Sequence, residues 1–240
     1  MLSNIWNTLL YEPLLNALAF LVSIVPGADI GIAVILLTLL VKIILFPLSQ
    51  RSIENQAKMS KLSPELKKIK ESGASKEEQA KMTFELYKVH KTNPFSGCLL
   101  ILIQIPIIFA LYYVFQKGLT FEVGYLYSFI HAPETVNMSF LGVLDLGSKS
   151  ILLAVLAGIS QYFQARLMPK PAPTDGKGGF QESFAKSMHM QMKYVFPFLV
   201  AFIAYSVSGA IALYWVTSNI FAVCQQIYVN KKRAKLELVK

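Results

Sequence analysis

Charge is what this sequence has least of. Asp, Glu, Lys and Arg make up 15% of 240 residues, and acids are the scarcer sign, 14 against 23 bases. Such a chain falls outside the composition of an ordinary soluble domain. Cysteine occurs twice, at Cys98 and Cys224, both inside apolar segments and without the Cys/His spacing of a zinc site. Both read as reduced packing residues. The three histidines, His90, His131 and His189, fall between the apolar runs, and no acid sits centrally within a run. Serine-type and aspartyl proteolysis therefore lack a base or a dyad. No phosphate-binding glycine loop and no HExxH motif occurs. These absences argue against an enzyme and leave no cofactor or metal to expect. No basic residue precedes the first apolar run, so no cleavable signal peptide is expected.

What the chain has is hydrophobic residues, 54% of the total, with a mean hydropathy of +0.48. It reads as an all-α polytopic membrane protein. The net charge of +9 then matters for where it sits along the chain, and nucleic acid is not implied.

In residues 1–28, Trp6, Leu9, Leu10, Leu14, Ala17, Leu18 and Leu21 keep helical spacing, while Asn7, Glu12 and Asn16 lie off that stripe. An amphipathic helix in the outer membrane interface fits, with Pro13 in its first turn and Pro26-Gly27 at its end. An additional transmembrane helix is the rival reading. Ile30 to Leu48 is apolar except at Thr38 and Lys42; nineteen residues rise roughly 28 Å, a bilayer's hydrocarbon thickness. The first span takes residues 29–49.

Residues 50–93 change character, and 51–93 hold ten bases and six acids. Two helical stretches, about 50–71 and 76–91, flank a Ser72-Gly73-Ala74 turn, and Ser75 with Glu78 forms a capping-box signature. Met59, Leu62, Leu66 and Ile69 facing Met82, Leu86 and Val89 predict a helical hairpin. A second span over 94–116 contains Pro106, and a polar, aromatic connection follows over 117–149. The third span, 150–167, carries Ser160, Gln161 and Gln164. The 168–193 loop includes the Pro169–Gly179 stretch, with mobile-loop composition, then a short helical stretch. From Tyr194 to Val229 thirty-six residues carry no charge. One straight helix of that length would measure roughly 54 Å, too long for a bilayer. Ser206 to Gly209 supplies a break, giving two short spans, 194–208 and 210–229, and a basic tail, 230–240.

Of the 23 basic residues, 20 fall in the hairpin, the 166–193 loop and the tail. The positive-inside rule puts those segments in the cytoplasm, the N-terminus outside, and five spans between.

A basic residue inside a span costs roughly 2.5 to 3.5 kcal/mol on insertion scales. Lys42 lies about 9 Å from the inner end of its helix, within reach of snorkelling. Alternatively it stands in a wet pocket. Thr38 lies one turn away on the same face. The other spans bring Gln104, Ser160, Gln161, Gln164, Thr217, Ser218, Asn219, Gln225 and Gln226, but no carboxylate. Singly such groups are interhelical glue; together they suggest a hydrated, positively charged pocket.

Three stretches carry a resemblance: TLLVKIILFPLSQRS from Thr38 to Ser52, NPFSGCLLILIQIPIIFALYYVF from Asn93 to Phe115, and GAIALYWVTSNIFAVCQQIYV from Gly209 to Val229. In these and in the order of its segments, from about Tyr11 to the tail, the chain resembles the YidC family of membrane protein insertases. The resemblance implies five transmembrane helices around a hydrophilic groove, open to cytoplasm and lipid but closed outward. Lys42 stands where the family commonly has an arginine. Thr38, Gln104, Tyr214 and Trp215 match groove or substrate-facing places, and the hairpin matches the element that receives substrates. The implied partners are nascent membrane proteins with acidic outside segments, a ribosome reached through the basic tail, the Sec translocon and the bilayer, but no DNA. The implied work is insertion and folding in a bacterial cytoplasmic membrane without nucleotide hydrolysis.

Three features depart from the family's pattern. Lysine at residue 42 keeps the charge but not the guanidinium fork. Leu100 stands where many relatives have proline. No large outside domain or lipoprotein-type cysteine is expected, so the chain reads as a minimal form. The alternative is a small anion or solute transporter with Lys42 as its binding site, although no repeat relates the halves of the chain.

Overall fold

Each long apolar run becomes a helix, since a backbone in lipid must satisfy its own hydrogen bonds. The computed structural model describes residues 6–93, 96–116, 121, 123–168 and 187–238. The Pro169–Gly179 loop and the last tail residues lie outside them. Helix α1 begins as a π-turn over Asn7–Tyr11 and continues over Glu12–Ile24. Then come α2 (Ile30–Lys61), α3 (Ser63–Glu71), α4 (Lys76–Val89) and α5 (Ser96–Gln116). A two-stranded antiparallel hairpin, β1 (Ser139–Phe140) and β2 (Leu144–Asp145), precedes α6 (Ile151–Leu167). The chain closes with α7, a π-turn at Gln191–Val195 running into Phe196–Ser206, and α8 (Gly209–Leu238).

Large apolar side chains face outward along whole helix faces: Ile43 and Ile44 on α2, Leu102 and Phe109 on α5, Ile151 and Leu152 on α6, and Phe198 and Phe202 on α7. Patches of that extent belong against lipid. Asn7–Ile24, Ile30–Lys61 and Gly209–Lys232 are long and apolar enough to cross a membrane, with Leu102–Phe115 and Ile151–Leu167 as shorter apolar helices.

Several local expectations are corrected. Pro13 stands in the first turn of the α-helical part, Glu12–Ile24, as expected, but a π-turn over Asn7–Tyr11 leads into it. The first arm of the hairpin is not one helix. At about 1.5 Å per residue α2 extends roughly 48 Å, beyond any hydrocarbon core, and breaks at Leu62. Pro64 has no N–H to offer the Ser60 carbonyl; the Ser63 hydroxyl takes it instead, at 2.5 Å. The α3–α4 turn passes through Gly73 at φ +71°, and the Ser75–Glu78 capping box forms.

Met82 and Val89 do not enter the hairpin seam; both are exposed, Val89 by 75%. The seam on α4 follows Gln79, Thr83, Leu86 and Tyr87, which are half-buried, opposite half-buried Leu66 and Ile69 on α3. Gln79 fixes this register by donating to the carbonyls of Ala74 (3.0 Å) and Lys70 (3.4 Å). Burial raises the Tyr87 phenol above its ordinary pKa. Cys224, expected to pack, is exposed on α8.

The residues before α6 fasten the helix ends together. Buried Asp29 caps α2 through one oxygen, accepting from Gly31 N (2.7 Å) and Ile32 N (3.1 Å), and its other oxygen accepts from Leu141 N at 2.7 Å. A β-carbon at Gly31 would overlap the Phe140 ring. Asn16 of α1 donates to Tyr125 O (2.9 Å) and accepts from Tyr127 N (2.7 Å). The start of α8 is held the same way, Gly209 N to Ser148 O at 2.9 Å and Ala210 N to Leu146 O at 3.1 Å.

Along α2 and α5 the two halves of the bundle are packed differently, while α8 stays buried at intervals as far as Val229. Toward this loop end, α2 buries Ile30, Gly31, Ala33, Val34, Leu37 and Thr38; α5 buries Ile107, Ala110, Leu111 and Val114; α8 is buried from Gly209 through Tyr214. Toward the hairpin end, α2 has no buried residue between Leu39 and Arg51, and α5 has none from Leu102 to Pro106. Lys42 lies just past the boundary.

Candidate functional site

A Lys ammonium is donor-only, a carboxamide offers one acceptor and one donor group, and a phenol is both. The structure joins one of each. Half-buried Lys42 on α2 donates from Nζ to Gln104 Oε1 of α5 at 3.1 Å. Gln104 Nε2 donates to the hydroxyl of Tyr214 on α8. Tyr214 is 2% exposed, and Ser218, one turn along α8, also bonds its hydroxyl. The carboxamide orientation follows from its neighbours, because only its oxygen can face the ammonium. Among the described residues no acid pairs with Lys42.

The other sequence-nominated residues fall elsewhere. Thr38 is wholly buried and its hydroxyl returns to Val34 O at 2.6 Å, so it satisfies its own helix. Thr217 does the same toward Leu213 O at 2.9 Å. Asn219 Nδ2 donates to Ser160 Oγ at 3.1 Å, clasping α8 to α6. Gln161 is buried, while Gln164 on α6 and Trp215 beside Tyr214 are half-buried. The structure thus gathers Lys42, Gln104, Tyr214 and Ser218 into one chain of contacts, with Asn219 and Ser160 as a separate clasp.

A second polar contact, joining the nominated Gln225 to Ser49, which the sequence did not single out, lies further toward the hairpin end. Gln225 Nε2 meets Ser49 Oγ at 2.7 Å and the Phe46 carbonyl at 3.2 Å. Deeper still, Ser52 Oγ donates to Ser96 O at 2.5 Å. Spacing signals the first of these. Lys42 and Ser49 are seven residues apart on α2, and Tyr214, Ser218 and Gln225 share one stripe of α8.

A cavity of about 480 Å³ sits at the loop end instead, lined by Trp6, Asn7, Tyr11, Phe109, Tyr113 and Tyr125. Its lining holds neither an acid nor a base. Among the described residues no group of three His, Cys, Asp or Glu could hold a metal. The Lys42 site sets an ammonium against a neutral acceptor, the Gln104 carboxamide oxygen. It can attract and orient an anion, and it contains no nucleophile–base pair.

Comparison with known proteins places this geometry in context. The model of the 60Kd inner membrane protein family matches residues 20–236. The membrane protein insertase YidC of Fusobacterium nucleatum is 34% identical over 231 residues, 94% of this chain and 98% of that protein. The same-named protein of Oceanobacillus iheyensis is 31% identical over 237 residues, 95% of this chain and 84% of its own length. That of Magnetococcus marinus is 34% identical over 230 residues, but this chain spans only 36% of it. A crystal structure of active YidC insertase with its first transmembrane domain resolved matches with a TM-score of 0.52 at 25% identity, over 82% of this chain and 41% of that one.

Proposed function

Because this chain belongs to the 60Kd inner membrane protein family, the YidC family of membrane protein insertases, we propose that it inserts nascent membrane proteins through a hydrated cationic groove on the hairpin side of the bundle. The groove lies between α2, α5 and α8 and is open to cytoplasm and lipid. Its floor is the packed loop end, which faces outward. Five spans surround it, at residues 29–49, 94–116, 150–167, 194–208 and 210–229. Residues 1–28 lie in the outer interface. The hairpin, the 168–193 loop and the tail are cytoplasmic, where the hairpin receives substrates.

The carrying observation is the position of Lys42, at the point on α2 where burial stops and stays absent to Arg51. A charge there is within reach of water from one side only, which relieves its insertion cost. An acidic or polar outside segment is drawn toward Lys42 while its apolar neighbour moves into lipid beside α6 and α8. Thr38, Gln104, Ser160, Gln161, Gln164, Tyr214, Trp215, Thr217, Ser218 and Asn219 line or support that path. No nucleotide takes part, and ribosome and Sec translocon are partners in delivery.

The test is insertion of a small single-span substrate with an acidic outside tail into vesicles containing the purified protein. Protected outside tail well above that in protein-free vesicles is the expected result. Equal protection in both would overturn the reading.

A further inference from the structure

Gln104 is the only side chain bonded to the Lys42 ammonium among the described residues, and it is itself held from behind by a buried phenol. Three constraints follow. The carboxamide cannot rotate without turning its NH₂ toward a cation. It cannot withdraw without leaving Tyr214. Its oxygen is also a weaker acceptor for an ammonium than a carboxylate oxygen would be, because charge-assisted pairs on both sides are the stronger ones. A neutral ligand in that place keeps the ammonium positioned and its charge uncancelled. A glutamate there would fill nearly the same volume and neutralise it permanently.

Resting on the insertase reading above, we propose that Gln104 is the resting ligand of Lys42, which a substrate carboxylate displaces, so that Gln104 sets the preference for acidic over neutral outside segments. Gln104 is a positioning residue for the charge and a placeholder for the substrate's acid. The substrate's acid draws the flexible Lys42 ammonium off Oε1, while Nε2 stays bonded to the Tyr214 phenol and holds the carboxamide in place. A purely structural staple between α2, α5 and α8 would use the same contacts but would have no reason to discriminate among substrates.

The two roles separate in vesicles reconstituted with the full chain, using two single-span substrates that differ only in Asp against Asn within the outside segment. Wild type inserts the Asp substrate preferentially, and Lys42→Gln abolishes that preference. Gln104→Glu lowers the Asp-to-Asn ratio about tenfold, as an internal counter-ion replaces the substrate's, and the loss falls mainly on the Asp substrate. Carbodiimide, which condenses an amine with a neighbouring carboxylate and takes up the water released, joins Lys42 to the introduced carboxylate as an isopeptide in that variant. In wild type it couples Lys42 to the substrate's acid. Gln104→Asn, one methylene shorter, supplies a second reading: it cannot span both partners, and the ratio shifts while the Asn substrate still inserts.

A wild-type ratio retained in Gln104→Glu overturns the inference and leaves the insertase reading standing. Equal loss for both substrates in both variants also overturns it, in favour of a staple. No insertion by wild type above protein-free vesicles removes the insertase reading itself.

Discussion

The loop end and the hairpin end of the bundle differ in what their polar side chains bond, although Ser52 and Gln225 at the hairpin end also reach backbone carbonyls. At the loop end, side-chain oxygens and amides serve the backbone: the carboxylate of Asp29 takes three N–H groups, from Gly31, Ile32 and Leu141, and Asn16 joins Tyr125 to Tyr127. At the hairpin end, polar side chains bond to one another across helices, Lys42 to Gln104 and on to Tyr214, and Ser49 to Gln225. The first arrangement closes a structure, because backbone groups once paired in a low-dielectric setting are costly to release. Under the proposed function the second is the exchangeable one, since a bond between neutral side chains, or from an ammonium to one, can be replaced by water or an incoming chain. A membrane protein that is shut on one face and receptive on the other needs both.

Charge reversal at the receptive end should produce the largest effect and break the contrast outright. Lys42→Glu is expected to lower insertion of an acidic-tailed substrate by at least about tenfold, Lys42→Ala to fall between, and Lys42→Arg to remain active. Vesicle insertion with all three side by side checks this, and equal activity in all three would refute an electrostatic role. Thermal unfolding in detergent should scarcely change, since Lys42 is outside the packed half.

Asp29→Ala should do the reverse. It strips three backbone donors of one buried acceptor, and loss of a helix cap with unsatisfied N–H groups costs about 2 to 4 kcal/mol. Denaturant titration in micelles would read that loss, while insertion per folded molecule stays near wild type. An inactive but fully stable Asp29→Ala protein would contradict the division of labour.

Where sequence reading works on this chain, the causes are local. The Ser75–Glu78 capping box spans three residues and forms. Family membership was legible because the stretches around Lys42, Gln104 and Tyr214 each carry a long, specific pattern. The partners of Asn16 and Asp29 were not legible, because Tyr125, Tyr127 and Leu141 lie more than a hundred residues away. The hairpin seam was misplaced for a different reason. Hydrophobic spacing favours Met82 and Val89 beside Leu86, whereas the turn chemistry of Gln79 rotates α4 so that Thr83 and Tyr87 join Leu86 in facing α3. The same spacing rule nominates Thr38 together with Lys42, yet the hydroxyl can reach its own helix's carbonyl, and it does.

Smaller effects sharpen the comparison. Gln225→Leu removes the contact to Ser49 and Phe46 in the exchangeable half, and about 1 kcal/mol of stability is expected to go with it. The measured loss should be below that of Asp29→Ala; a larger one would make the hairpin half as rigid as the loop half. Smallest is His90→Ala, which deletes a 3.4 Å contact to Glu65 between side chains 40% and 49% exposed. An exposed pair of this kind is worth about 0 to 1 kcal/mol, so the shift in unfolding should be the smallest of the set.

Water reaching α2 from one side only is the claim on which the rest depends. Single cysteines at Val34, Thr38, Lys42, Leu45 and Ser49, in protein whose Cys98 and Cys224 are replaced, can be challenged with a membrane-impermeant maleimide on either face of sealed vesicles. Reaction at residues 42, 45 and 49 from the hairpin side, with 34 and 38 protected from both sides, is the predicted pattern. Reaction at 34 or 38 from the loop side, or none at 42 from the hairpin side, would contradict it.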